Sequence, residues 1–252
     1  MRRGLPILWS VASLLGLLAL WWTLALAADP RVFPGPPAVL DALWREAASG
    51  DLAYHLGITL TRVAAAFAIA ITIGSAIGIA LGMNRGLDRL FDLWVVLFLN
   101  LPALVVIVLA YVWFGLNEAA AVGAVAVNKI PNVVVTLREG ARALDRAYAE
   151  LAQVYRFSFA SRMRDVVLPQ LQPYLAAASR SGIALIWKIV LVVELLGRSN
   201  GVGFQIHLHF QLFDVATILA YALAFVVVML AVEMLLLRPY DRHATRWRPR
   251  HA

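Results

Sequence analysis

The sequence has no cysteine among its 252 residues, which excludes disulfides and any thiolate-ligated metal site. Its five histidines carry no metal-ligand spacing, and His207 and His209, two apart, point to different faces of a helix. No G-x-x-x-x-G-K-S/T phosphate loop occurs, so the chain is not itself a nucleotide-hydrolysing subunit of that type. No polar cluster stands out as a catalytic dyad, and no convincing repeat relates the two halves. The expectation is a chain with no catalytic residues, no metal ligands and no bound cofactor. Charge is scarce too, at 15% of residues, although the balance is basic, with a net charge of +7.

What the sequence has instead is apolar length. Apolar residues make up 62% of it and its mean hydropathy is +0.78, whereas soluble domains are about half apolar. Several runs reach the ~20 residues that cross a bilayer as a helix. The fold class is therefore an all-α polytopic membrane protein, a single transmembrane unit over 1–252. Six spans are predicted, at about 5–28, 57–83, 91–114, 118–137, 170–196 and 214–237. Asn100 and Pro102 predict a kink in the third, and Gly115-Leu116-Asn117-Glu118 forms a tight hairpin between the third and fourth. The Arg2-Arg3 start and Ala25-Leu26-Ala27 resemble a secretory signal. The run from Leu5 to Ala28 is long for one, which favours an uncleaved first helix.

The basic residues assign orientation rather than nucleic-acid binding. Arg2, Arg3, Arg85, Arg89, Arg138, Arg142, Arg146, Arg156, Arg162, Arg164, Arg238, Arg242, Arg246, Arg248 and Arg250 fall on one side of the six spans. Only Arg31, Arg45 and Arg198 fall on the other. Both termini and a loop over 138–169 are thus expected in the cytoplasm. A segment over 29–56 lies outside, where Pro37 starts a short amphipathic helix carrying Val39, Leu40, Leu43 and Trp44 on one face. Either it lies on the membrane surface or it caps the bundle. In the second span Gly74, Gly78 and Gly82, four apart, allow close helix packing, static or moving.

The inner loop is longer than a turn requires. Residues 139–149 read as an amphipathic helix, a second short basic stretch runs from Arg162 to Val167, and Leu168-Pro169 precedes the fifth span. Two short helices meeting at a bend make a docking knob for a soluble partner.

At these residues the chain resembles the permease subunits of bacterial ABC importers, the binding-protein-dependent transport family. Glu150-Leu151-Ala152 stands where that family has its EAA motif, and Val166-Val167-Leu168-Pro169 follows at the expected distance. Arg156 occupies the family's glycine position. Pro34–Leu40, Leu99–Pro102, Trp113-Phe114-Gly115, Glu194–Gly197 and Gly201–Phe204 resemble elements of the sulfonate, taurine and nitrate subfamily. The resemblance implies a type I importer permease fold in the bacterial inner membrane. It implies that Glu150, Leu151, Ala152, Arg156, Val166, Leu168 and Pro169 form the element coupling to an ATPase. The implied partners are two cytoplasmic ABC ATPase subunits, which would use ATP and Mg, a second copy of the permease, a periplasmic binding protein and the lipid bilayer.

Ionisable residues within spans suggest buried pairs or a solute path. Lys188 with Trp187, Glu194, and Asn128 with Lys129 are the path candidates. The alternative is that each lysine pairs structurally with Glu194, Glu118 or Glu233, or reaches an interface. An anionic solute such as a sulfonate, taurine or nitrate fits the first reading. A neutral heterocycle or vitamin precursor fits the same architecture, and a stand-alone secondary transporter would need its own ion site.

Overall fold

The computed structural model describes residues 5–240, and those residues form helices joined by short connections. The terminal arginines counted towards orientation (Arg2, Arg3, Arg242, Arg246, Arg248 and Arg250) lie outside the described residues. Helix α1 (Leu5–Ala27) leads to α2 (Pro36–Ser49) and the long α3 (Asp51–Met83). Then come α4 (Arg85–Asn100), α5 (Ala103–Phe114) and α6 (Glu118–Arg142). Helix α7 (Arg146–Val154) is followed by one continuous helix over 159–197, made of α8 (Phe159–Arg162), a π-helical turn (Met163–Val167) and α9 (Leu168–Gly197). Helices α10 (Val202–Gln211) and α11 (Val215–Val232) complete the described residues, with a second π turn at Glu233–Leu237.

The central packing is α3 against α6, with α9 on α6's other side. Glycines make the α3–α6 approach possible. A Cβ on Gly74 would stand 2.7 Å from the Val133 Cβ, and one on Gly78 would stand 2.7 Å from the Val134 carbonyl oxygen. Gly82 meets Arg138 and Ala141 in the same way. Both sets of numbers rise together, so α3 and α6 run parallel, and Arg62 of α3 accordingly reaches Glu118 in the first turn of α6. Parallel neighbours require the intervening chain to return across the membrane. Helices α4 and α5 together are that return, one crossing bent by 94°.

The predicted kink in the third span is thus a full break. Leu101, preceding proline, is extended (φ −69°, ψ 123°), as the clash with a proline ring favours. Pro102 then caps α5 without an N–H to lose. Other boundaries also differ from the sequence expectation. Helix α3 begins at Asp51, within the segment 29–56 expected outside. Helix α6 runs to Arg142 and the fifth span's helix begins at Phe159, so the inner loop expected over 138–169 includes the ends of both helices, with 143–158 between them. A helix need not stop where hydrocarbon stops, since Arg and Leu favour helix in water as well.

Helix α2 caps the bundle. Val39 and Ala42 are fully buried against Ala220 of α11, and the Tyr221 hydroxyl donates to Glu46 at 2.7 Å. Its apolar face is split, because Leu40 and Trp44 remain exposed. Over its described side chains helix α1 is almost wholly exposed, tethered by the Trp21 indole N–H donating to the Pro34 carbonyl.

Candidate functional site

The segment 143–158 is built as a rigid projection. Asp145 accepts the Ala147 N–H and so caps α7, while its own N–H donates to the Gln170 side chain at 3.0 Å, fixing the base of the segment to α9. Helix α7 ends in two reverse bonds, Arg156 N–H to Gln153 at 3.0 Å and Phe157 N–H to Ala152 at 2.9 Å. This is a Schellman closure, which requires a left-handed residue at its centre. Arg156 supplies it, at φ 50°. The arginine therefore adopts the conformation for which glycine is favoured, and the bend is kept without it. Ser158 caps the next turn by accepting the Ser161 N–H.

This projection exposes apolar surface. Leu151 is 52% exposed, Val154 77% and Tyr155 69%, and Phe157 and Phe159 join them. Glu150 is exposed beside them and forms no ion pair among the described residues. Ala152, in contrast, is buried within the protomer (3% exposed). Val166 is half-buried, while Leu168 and Pro169 are exposed at the π turn, where the Leu168 N–H reaches back to Met163. Val167 and Leu171 sit in the cluster formed with Val133, Leu137 and Ala141 of α6. A force on the projection is therefore transmitted to both α6 and α9.

At the opposite end, buried polar groups form a knot. Arg62, 4% exposed, donates to Glu194 at 2.7 Å and to both oxygens of Glu118 at 2.9 and 2.6 Å. It also binds the Asn200 carbonyl at 2.8 Å and the Asn200 side chain, and Arg198 pairs with Glu118. Glu194 is fully buried and accepts from the Thr59 hydroxyl and the Gly203 N–H. Three N–H groups at the start of α10 are taken by side chains, Gly201 by His55 Nδ1, Val202 by Thr59 and Gly203 by Glu194. Gly201 (φ 105°) lies against the Glu194 carboxylate so closely that a Cβ would collide with it.

Sequence reasoning grouped Glu194 with the solute path. Its zero exposure and saturated carboxylate place it in this strut between α3, α9 and α10 instead. Neither lysine partners it or Glu118, because Arg62 does. Arg62, Thr59, His55 and Gln205 were not recognised as a unit. The available signal was an arginine in an apolar span facing acids in two others, since such a charge is tolerated when paired.

The remaining path candidates separate. Lys129 is buried (2% exposed), close to where Gly182 and Phe67 meet α6, with no hydrogen-bond or ionic partner among the described residues. Asn128 is half-buried. Lys188 is exposed, with its ammonium 5.6 Å from the centre of the Trp187 ring, and Trp187 packs on Phe225 at 5.4 Å between centroids. Along α9, Ala177, Ser181, Ala184, Lys188 and Val192 form one exposed face.

Residues 70–249 match the family described as binding-protein-dependent transport system inner membrane component. The aliphatic sulfonates transport permease protein SsuC of Escherichia coli (strain K12) is 33% identical over 80% of this chain and 73% of its own. The taurine transport system permease protein TauC of the same strain is 26% identical over 94% and 89%. Among solved structures, an inward-facing MetNI methionine ABC transporter superposes with a TM-score of 0.65 at 17% identity, covering 75% of this chain and 93% of that one. That likeness speaks for the fold.

Proposed function

Because the chain belongs to the inner membrane component family of binding-protein-dependent transport systems, we propose a transport cycle in which its inner projection receives force and its α9 face forms part of the solute path. The chain is the membrane-spanning permease subunit of an ABC importer. In the proposed assembly two copies meet about a two-fold axis, and each 143–158 projection seats in a groove of an ATPase subunit. ATP and Mg bind to that partner, and a periplasmic binding protein delivers solute to the other end. Closure of the ATPase pair moves the projections, and α6 with α9 switches between outward-open and inward-open arrangements.

The observation that carries the docking role is the cluster of exposed Leu151, Val154, Tyr155, Phe157 and Phe159 on a segment fixed at both ends. A contiguous apolar patch on a charged surface marks an interaction site. This end also bears Arg85, Arg89, Arg138 and Arg142, which by the positive-inside bias makes it cytoplasmic.

The proposed solute is a small organic or inorganic anion. The relatives named for aliphatic sulfonates and taurine support it. So does Lys188, nine residues before the end of α9, roughly 14 Å down the helix at 1.5 Å per residue. An exposed ammonium at that depth is costly against lipid, which favours an aqueous or protein-lined setting for that face. The test is ATP-dependent uptake of a radiolabelled sulfonate into vesicles holding permease, ATPase and binding protein. Lys188→Met should lower uptake at subsaturating solute about tenfold, the effect of one interaction near 1.4 kcal/mol, with assembly intact. Unchanged uptake would remove Lys188 from the path, and loss of assembly would make it structural.

A further inference from the structure

Two cavities on one flank of the bundle adjoin at a shared wall residue and differ sharply in chemistry. The first, of about 460 Å³, lies between α3, α4 and α6 and is lined only by apolar residues and Pro131, among them Ile77, Leu87, Trp94, Phe98 and Ile130. The second, of about 660 Å³, opens at the inner ends of the same helices and is lined by Arg85, Arg89, Arg142 and Arg162 together with Asp88 and Asp145. Leu81 lines both.

The charge in the second cavity is not internally balanced. Asp88 is held by Arg138 and Arg142, and Asp145 is engaged in capping α7. Arg85, Arg89 and Arg162 are exposed and have no acidic partner among the described residues. Guanidinium groups without carboxylates suit phosphate oxygens, which they bind in paired hydrogen bonds. The dimensions also fit. From Arg85 to Phe98, α4 rises roughly 20 Å at 1.5 Å per residue, compared with about 15 Å for half of a ~30 Å hydrocarbon core. The basic cleft thus lies at headgroup level, and the apolar groove beside it lies at the depth of one leaflet.

We infer that this flank holds an anionic phospholipid, with its phosphate among Arg85, Arg89 and Arg162 and one acyl chain in the groove beside Trp94. A purely apolar groove would accept any lipid chain, and a purely basic cleft any anion. Their adjacency at Leu81 selects a molecule having both. The cleft includes the start of the projection and the helix that follows it, since Leu144, Asp145 and Arg162 line it. The lipid therefore braces the root of that projection against α3 and α4. The inference needs the chain to span a membrane, and does not depend on which solute is carried.

The test uses the assembled transporter in vesicles containing phospholipids brominated on the acyl chain, which quench a nearby indole. The Trp94 signal is the difference between the wild-type protein and Trp94→Phe. Brominated phosphatidylglycerol is compared with brominated phosphatidylcholine, each as a minor component. Each arginine near the phosphate favours the anionic lipid roughly fivefold, so the Trp94 signal should respond to much less phosphatidylglycerol than phosphatidylcholine. Arg85→Gln with Arg89→Gln should reduce that preference by more than about tenfold. Equal quenching by the two lipids would overturn the site, leaving an ordinary lipid-facing groove. Absence of quenching by either would overturn it too, because protein, such as the second copy, would then cover the groove.

Discussion

At Arg156, an ordinary side chain occupies a backbone conformation that penalises it. A left-handed residue other than glycine costs about 1–2 kcal/mol, partly offset because glycine is freer when unfolded. Arg156→Gly should therefore stabilise the turn by about 1 kcal/mol and leave transport intact, seen as roughly fivefold slower hydrogen exchange at the Phe157 amide. Unchanged or faster exchange would mean that the guanidinium holds the turn through contacts of its own. Arg62 is the opposite case, a buried ion satisfied by two acids. Arg62→Met leaves Glu194 buried without its cation, which should cost about 3–5 kcal/mol and lower the yield of monodisperse protein. Adding Glu194→Gln should recover part of the loss, since a neutral amide oxygen can still accept from Thr59 and Gly203. If the double variant is no better than the single one, the charge of Glu194 is not what Arg62 compensates. The sequence made the substitution at 156 visible but not its φ. It made Glu194 visible but not its partner, because the pair is 132 residues apart and only the fold brings them together.

At the scale of elements, six crossings were expected, and among the described residues four helices are long and apolar enough to cross, five with the pair that breaks, the first helix counting only as a shorter apolar one. What the spacing of apolar residues did not indicate was where helices continue beyond lipid, as α3 does at Asp51 and α9's helix does at Phe159. The π turns were equally hidden, although each lies just before a proline, Pro169 in one case and Pro239 in the other. A proline lacks the N–H that a regular helix needs, and in both turns the preceding residue bonds back five positions. The glycine stripe of α3 was legible, and its meaning can be tested by contrast. Gly78→Ala would place a methyl group 2.7 Å from the Val134 oxygen, whereas a Cβ at Gly123 of α6 meets nothing within 4 Å. Gly78→Ala should therefore destabilise by about 1–3 kcal/mol. Gly123→Ala should be neutral or slightly stabilising by helix propensity. Thermal unfolding in detergent compares them, and equal effects would show that α3 and α6 separate without penalty.

At the scale of the molecule, the two ends of the bundle differ in kind. One end is bound internally, by Arg62, Glu118, Glu194 and the start of α10. The other presents unsatisfied apolar surface on a segment whose base is joined to α6 and α9. That asymmetry suits a device that is held at one end and driven at the other, and it makes the projection the centre of the account. The absence of cysteine allows a direct test, because Val154→Cys introduces the only thiol in the chain. Val154 is 77% exposed, so the substitution should leave the fold intact. A thiol-linked photocrosslinker at that position, activated in the assembled and transport-competent complex, should yield a permease–ATPase adduct. The same probe at Trp44→Cys, on α2, should yield none. If position 154 instead labels only lipid or a second permease while uptake continues, the projection is not where the ATPase docks.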